Sequence, residues 1–187
     1  MTRPMSTSPE RLRFTPDQPD FGLRELMAVR EIAHAFLNAG RPEEVYQFAL
    51  DRVCPLVGAT FACVYAIEEG SELMKLAAVH NWPQRYAHFL NRMRVRVGYG
   101  PSGEAASERR PIEVLDVFAD PSLEDWQEVA AELGFRAMVA LPLQTSHGVH
   151  GAVTFYFRSP SLISPETRHL VRMVADQLAA TAEKSRL

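Results

Sequence analysis

The run Gly98-Tyr99-Gly100-Pro101-Ser102-Gly103, closed off soon afterwards by Pro111, constrains this chain more than any other feature. It spells G-x-G-x-x-G, follows an apparent strand and opens a helix, the arrangement that cradles pyrophosphate in dinucleotide-binding folds. Two conditions of that fold are not met. Its first strand is buried on both faces, whereas Arg94-Val95-Arg96-Val97 alternates charged and apolar residues as a half-exposed strand does. Its helix must also cover a parallel sheet, and a helix over about 103 to 109 has only about two turns before Pro111. The glycines therefore read as permission for a tight turn at positive φ.

The rest of the chain alternates short helical and extended segments. Residues 1 to 20 hold Pro4, Pro9, Pro16 and Pro19 among Ser, Thr and Arg, and read as a disordered proline-rich leader. A helix is expected from Phe21 to Gly40, and a second from Pro42 that ends before Pro55. Phe61 to Ile67 and Leu73 to His80 read as hairpin strands around Glu68-Glu69-Gly70-Ser71. Residues 83 to 92 read as a short helix, and Pro111 to Leu115 as a strand. Ser122 and Asp125 form a capping box ahead of a helix that stops at Gly134. Ala137 to Leu143 pairs with Gly151 to Phe157 around Ser146-His147-Gly148, and Ser164-Pro165-Glu166 starts a long last helix. Strands joined by tight turns make the sheet mainly antiparallel, so the class is α+β: about six strands with helices on both faces.

Composition removes several functions. A net charge of −3 offers no nucleic-acid surface. There is no apolar signal region and no stretch long and uncharged enough to span a bilayer, so a cytoplasmic protein is expected. Cys54 and Cys63 are too few for a disulfide framework or a thiolate metal site, and read as packing residues. His147 and His150 lie in a hairpin loop without a nearby acid in sequence and read as a solvated turn, so no metal is expected.

The stretch from Val95 to Val117 reads VRVGYGPSGEAASERRPIEVLDV, and it resembles the central signature of GAF domains: a strand, the glycine turn, a short helix, a Pro-Ile strand and an Asp-Val. Ala140-Leu141-Pro142-Leu143 followed by Gly151-Ala152-Val153-Thr154-Phe155 resembles the family's closing hairpin, and Val174-Ala175-Asp176-Gln177-Leu178-Ala179 its last helix. The resemblance covers about residues 22 to 183 and places a GAF domain at 21 to 183, with 184 to 187 as a tail or the start of a linker. It implies a GAF/PAS-like sheet with the first and last helices on one face and short helices over a pocket on the other. It implies a sensor rather than an enzyme: a small ligand is bound, and the signal passes through the terminal helices of a homodimer. The output would be of the kinase or cyclase type, as in histidine kinases of two-component systems.

No cofactor follows from the resemblance. Bilin-binding members carry a Cys-His pair, cyclic-nucleotide members an Asn-Lys motif, and neither occurs here. Haem is not expected either, although His80 and His88 flank a pocket edge. The candidate pocket residues are His80, Trp82, Tyr86, Phe89, Tyr99, Ser102, Phe118, Trp126 and Phe135, with Arg96 and Arg136 for an anionic group. Ser102 reads as a cap for the helix that follows it.

The first helix has two apolar faces, Leu23, Leu26, Met27, Ala33 and Leu37 on one and Val29, Ile32 and Phe36 on the other. One can cover its own domain and the other a partner; the candidate dimer residues are Val29, Ile32, Phe36, Val171, Val174 and Leu178. The last helix reaches Leu187 without a glycine or proline stop, which leads us to expect that it continues into an output domain. Two alternatives stand beside this reading: a ligand-free dimerisation or docking module, and a thiol-based redox enzyme on the same fold.

Overall fold

The computed structural model describes residues 21–186, so the expected leader lies outside the described residues. Helices α1 (Phe21–Asn38) and α2 (Pro42–Val57) precede strands β1 (Phe61–Ile67) and β2 (Leu73–His80). Then come α3 (Ala87–Arg92), β3 (Arg94–Arg96), α4 (Gly100–Glu108), β4 (Ile112–Val114) and α5 (Glu124–Leu133). Strands β5 (Ala137–Thr145) and β6 (Gly148–Phe157) and helix α6 (Pro165–Lys184) complete the chain. The strands form one antiparallel sheet in the order β3-β2-β1-β6-β5-β4.

Side chains that alternate along each strand separate two cores. Ala62 and Val64 of β1, Val153, Phe155 and Phe157 of β6, and Val139, Leu141 and Leu143 of β5 meet α2 and α6 on one face. Phe61, Cys63 and Tyr65, with Ala152, Tyr156 and Met138, meet the short helices on the other. No helix among the described residues is long and apolar enough to cross a membrane.

Three local expectations are corrected. Helix α2 runs through Pro55 to a left-handed Gly58, whose N–H bonds the Cys54 carbonyl; proline in a last turn removes one bond and little else. Helix α4 starts at Gly100, three residues before the expected start, so Ser102 lies inside its first turn and caps nothing. Helix α5 starts at Glu124, and Asp120, rather than Ser122, caps the preceding 3₁₀ turn. Helix α1 lies on the same side of the sheet as α6, as expected, packed on α2 and α6. It is tied there by the Gln177 amide donating to Val29 O (3.0 Å), the Arg52–Glu31 ion pair, and Lys184 over the Phe36 ring.

That placement also inverts the expected dimer face. Ile32, Val171, Val174 and Leu178 are fully buried in the domain's own core, with Val29 and Phe36 packed against it. The other face of α1 is the exposed one, with Leu23, Leu26, Met27 and Leu37 in solvent.

Candidate functional site

The glycine run shapes the site. Gly98 and Gly100 sit at positive φ (94° and 67°), which turns the chain out of β3 and straight into α4. Gly103 has a different reason: a Cβ there would lie 2.3 Å from the Arg96 carbonyl oxygen, so only glycine lets α4 lie this close to β3. The first turn of α4 is thereby pressed onto the sheet face away from α6. It is fastened there by a hydrogen bond between the Ser102 and Thr154 hydroxyls, 2.7 Å apart and buried.

Beneath this turn lies a cavity of about 70 Å³. Its floor is Tyr65, Met138 and Tyr156 of the sheet, its wall Val95, Leu123 and Trp126, and its roof residues 99 to 102. Such a space holds a few water molecules, well below the ~300–1,000 Å³ typical of drug-sized ligand pockets. The cause is aromatic packing: Tyr156 stacks edge-on against Trp82 and Phe135, and Phe61 touches both of those rings. The Cys63 thiol is buried among Tyr65, Trp82 and Tyr156; burial pushes it up to about 12 and holds both tyrosine hydroxyls well above their usual range. Larger clefts open elsewhere, such as one of about 380 Å³ between α1 and α2, but they face solvent on the helical side.

Of the candidate pocket residues, Tyr99, Ser102 and Trp126 line the cavity. Trp82 and Phe135 fill the core beside it. Phe89 and Tyr99 stand at the rim, half or more exposed, with Phe89 against Trp126. Tyr86 points away, donating to Glu132 at 2.5 Å.

The other four are displaced. His80 belongs to the opposite face, where it pairs with Asp51 of α2 at 2.7 Å, because it sits opposite Ala62 in the β1–β2 register. Arg96 is exposed, 3.4 Å from Glu72 and above the Tyr99 ring. Arg136 pairs with Asp116 at 3.0 Å and covers the Phe118 ring, so neither reaches the cavity.

The sequence reading missed Tyr65 and Tyr156. Both lie in strands that are apolar on either side, where periodicity does not tell the cavity face from the helical one.

The histidine loop also differs from expectation. His150 is buried rather than solvated, and α6 brings Glu183 to it from far along the chain. Glu183 Oε1 accepts from Thr145 Oγ1 at 2.8 Å and lies 2.6 Å from His147 Nδ1. Among the described residues no group of three or more His, Cys, Asp and Glu side chains is placed to hold a metal ion.

A single antiparallel sheet, with a long terminal helix on one face and a small roofed cavity on the other, defines an α+β domain. The GAF domain family model matches residues 39–182, and this chain belongs to that family. The GAF domain of a phosphoenolpyruvate-protein phosphotransferase from Coxiella burnetii is similar in structure, with a TM-score of 0.74 at 17% identity over 90% of this chain and 97% of that one. Free methionine-R-sulfoxide reductase from Neisseria meningitidis matches with a TM-score of 0.71 at 16% identity, over 94% and 97% of the two chains. In sequence, the methyl sulfide methyltransferase-associated sensor of Methanosarcina acetivorans is 26% identical over 110 residues. That match covers 58% of this chain and 11% of the relative.

Proposed function

We propose that this GAF domain is a cytoplasmic sensory module that binds a small ligand in the cavity under α4 and passes occupancy to α6. The observation that carries the reading is the two-sided register of β6. Thr154 and Tyr156 face the α4 side, while Val153, Phe155 and Phe157 between and beside them pack toward α2 and α6. A ligand that moves Tyr156 or the Ser102–Thr154 tie displaces a strand whose other face holds the output helix. The relay works in a homodimer joined through the exposed face of α1, toward a kinase- or cyclase-type output. The sensor name of the Methanosarcina relative supports this reading.

The same cavity favours a second reading. Rings already fill most of the space, which suits a dimerisation module that takes no ligand. An enzyme is the weakest of the three, because burial raises both thiols: Cys63 to about 12, and Cys54 further, away from the reactive thiolate.

Native mass spectrometry of the protein from its own host separates these readings. A dimer carrying a small-molecule mass increment supports the sensor, and a dimer without one supports the ligand-free module. A monomer at high concentration rejects the relay in either form.

A further inference from the structure

Two connected hollows, of about 430 and 260 Å³, run along the free edge of the sheet between β4 and α6. They share Pro111, Leu141 and Arg172, and so form one groove with two lobes. Its floor is closed by the core side chains Val139 and Leu141 of β5 and Val171 and Ala175 of α6, which are buried and offer almost no apolar surface. Its walls carry four arginines, Arg109 and Arg110 from the turn before β4, and Arg168 and Arg172 one helical turn apart on α6.

The chain supplies carboxylates for two of them. Arg110 pairs with Glu108 at 2.5 Å, and Arg168 reaches across the groove to Glu113 of β4 at 2.6 Å. Among the described residues Arg109 and Arg172 have no carboxylate within ion-pairing distance; Asp176 lines the same lobe without closing on either.

Arg109 carries a second anomaly. It ends α4 in the left-handed conformation (φ 57°, ψ 36°), where glycine is the usual choice because a Cβ crowds the backbone carbonyl. Strain at one residue directs attention to what its side chain does. Here the guanidinium lines the groove opposite Arg172.

The third feature is the edge itself. Among the described residues strand β4 pairs with β5 and is the last strand of the sheet, the position at which a further strand can add.

We propose that this groove docks an acidic, extended peptide segment of a partner protein. Its carboxylates take Arg109 and Arg172, as Glu113 already takes Arg168. Guanidinium–carboxylate pairs are the strong, bidentate kind, and an exposed edge strand is a common site of peptide addition. The groove flanks α6, so such a partner would act on the output helix from the side opposite the ligand cavity. The proposal does not depend on that cavity holding anything.

The test uses the full chain and a fluorescein-labelled nonapeptide of alternating glutamate and serine, read by anisotropy. Saturable binding that weakens with salt is expected, and Arg172→Ala should weaken it about tenfold. Arg109→Gly gives the sharper readout: affinity falls by a similar factor while the melting temperature holds or rises, since glycine relieves the left-handed position. Unchanged affinity in both variants overturns the proposal. Equal binding of the lysine-for-glutamate peptide overturns it too. Binding of inorganic pyrophosphate at this groove without peptide binding would reassign it as a small-anion site and refute peptide docking.

Discussion

The tie between Ser102 and Thr154 joins the roof of the cavity to β6, and its strength follows from burial. Thr154 is fully buried, Ser102 nearly so, and their 2.7 Å contact is the side-chain hydrogen bond that each hydroxyl makes. Ser102→Ala leaves the Thr154 hydroxyl without a partner, which costs about 1–3 kcal/mol for a buried neutral group. The adjoining cavity has room for water, and a water drawn to Thr154 holds the loss to the lower half, about 1–1.5 kcal/mol. In a domain of this size that lowers the melting temperature by about 2–6 °C. Thr154→Val should cost a similar amount. The double variant puts an apolar contact where the bond was and should be close to the wild type, giving a coupling energy of about 2–3 kcal/mol. Urea unfolding of the four proteins measures the cycle. Additive single costs would refute the argument, because they would mean that the two hydroxyls do not satisfy each other.

Three other outcomes follow from particular residues. Gly103→Ala should destabilise by about 1–3 kcal/mol or more, since its Cβ would meet the Arg96 carbonyl oxygen at 2.3 Å. Gly40→Ala has nothing within 4 Å and should stabilise by about 0.4–1 kcal/mol; denaturant midpoints of the two compare them directly. Cys54 and Cys63 should resist a thiol reagent in the native state and react fully in urea, because burial raises both; fast native labelling would revive the redox reading. At the end of α6, burial and the Arg186 charge lower the pKa of His150, outweighing the opposite pull of Glu183. Its neutral form is the folded one, so the stability it contributes is complete above pH 6.5 and is lost as pH falls below that. Glu183, held below the usual carboxylate range mainly by the Thr145 hydrogen bond and then by His147, adds a loss in the same direction at lower pH. Hydrogen-exchange protection factors, corrected for the pH dependence of intrinsic exchange, should fall at the β5–β6 hairpin and the end of α6 on acidification, and an NMR midpoint for His150 at or above 6.5 would contradict this.

Most of the fold was legible, because the signals that specify it are local. Gly70 at positive φ turns the β1–β2 hairpin, Ser164 caps α6 with its hydroxyl on the Thr167 N–H, and Gly134 ends α5 in the left-handed form. The site was legible only in part. Ser102 and Trp126 lie beside glycine and helix signals that mark the roof and wall, whereas Tyr65 and Tyr156 lie in strands whose two faces are equally apolar. His80 went to the wrong face because a shift in the β1–β2 register between Val64 and Tyr65 changes which β2 residues face the pocket, and no residue type announces such a shift. The dimer face was inverted for a related reason. Two apolar stripes on α1 are visible in the sequence, but which one the domain keeps depends on where α2 and α6 leave a gap.

The inversion changes how a relay across this domain has to work. Had Val171, Val174 and Leu178 faced a partner, a ligand could have acted by rotating α6 within a shared bundle. Those residues are instead locked into the domain's own core against β5 and β6, so α6 moves with the sheet or not at all. In the relay proposed above helix α1 would report the movement, since it touches α6 through Gln177 and Lys184 and turns Leu23, Leu26, Met27 and Leu37 outward. Gln177→Ala tests this route. It removes the side-chain bond to Val29 O but leaves both helices' apolar contacts in place, so the fold should survive while α1 loosens. A self-association constant that shifts with this substitution places α1 on the path from sheet to partner. One that stays fixed while Leu26→Glu abolishes association would show that α1 holds the dimer without carrying the signal.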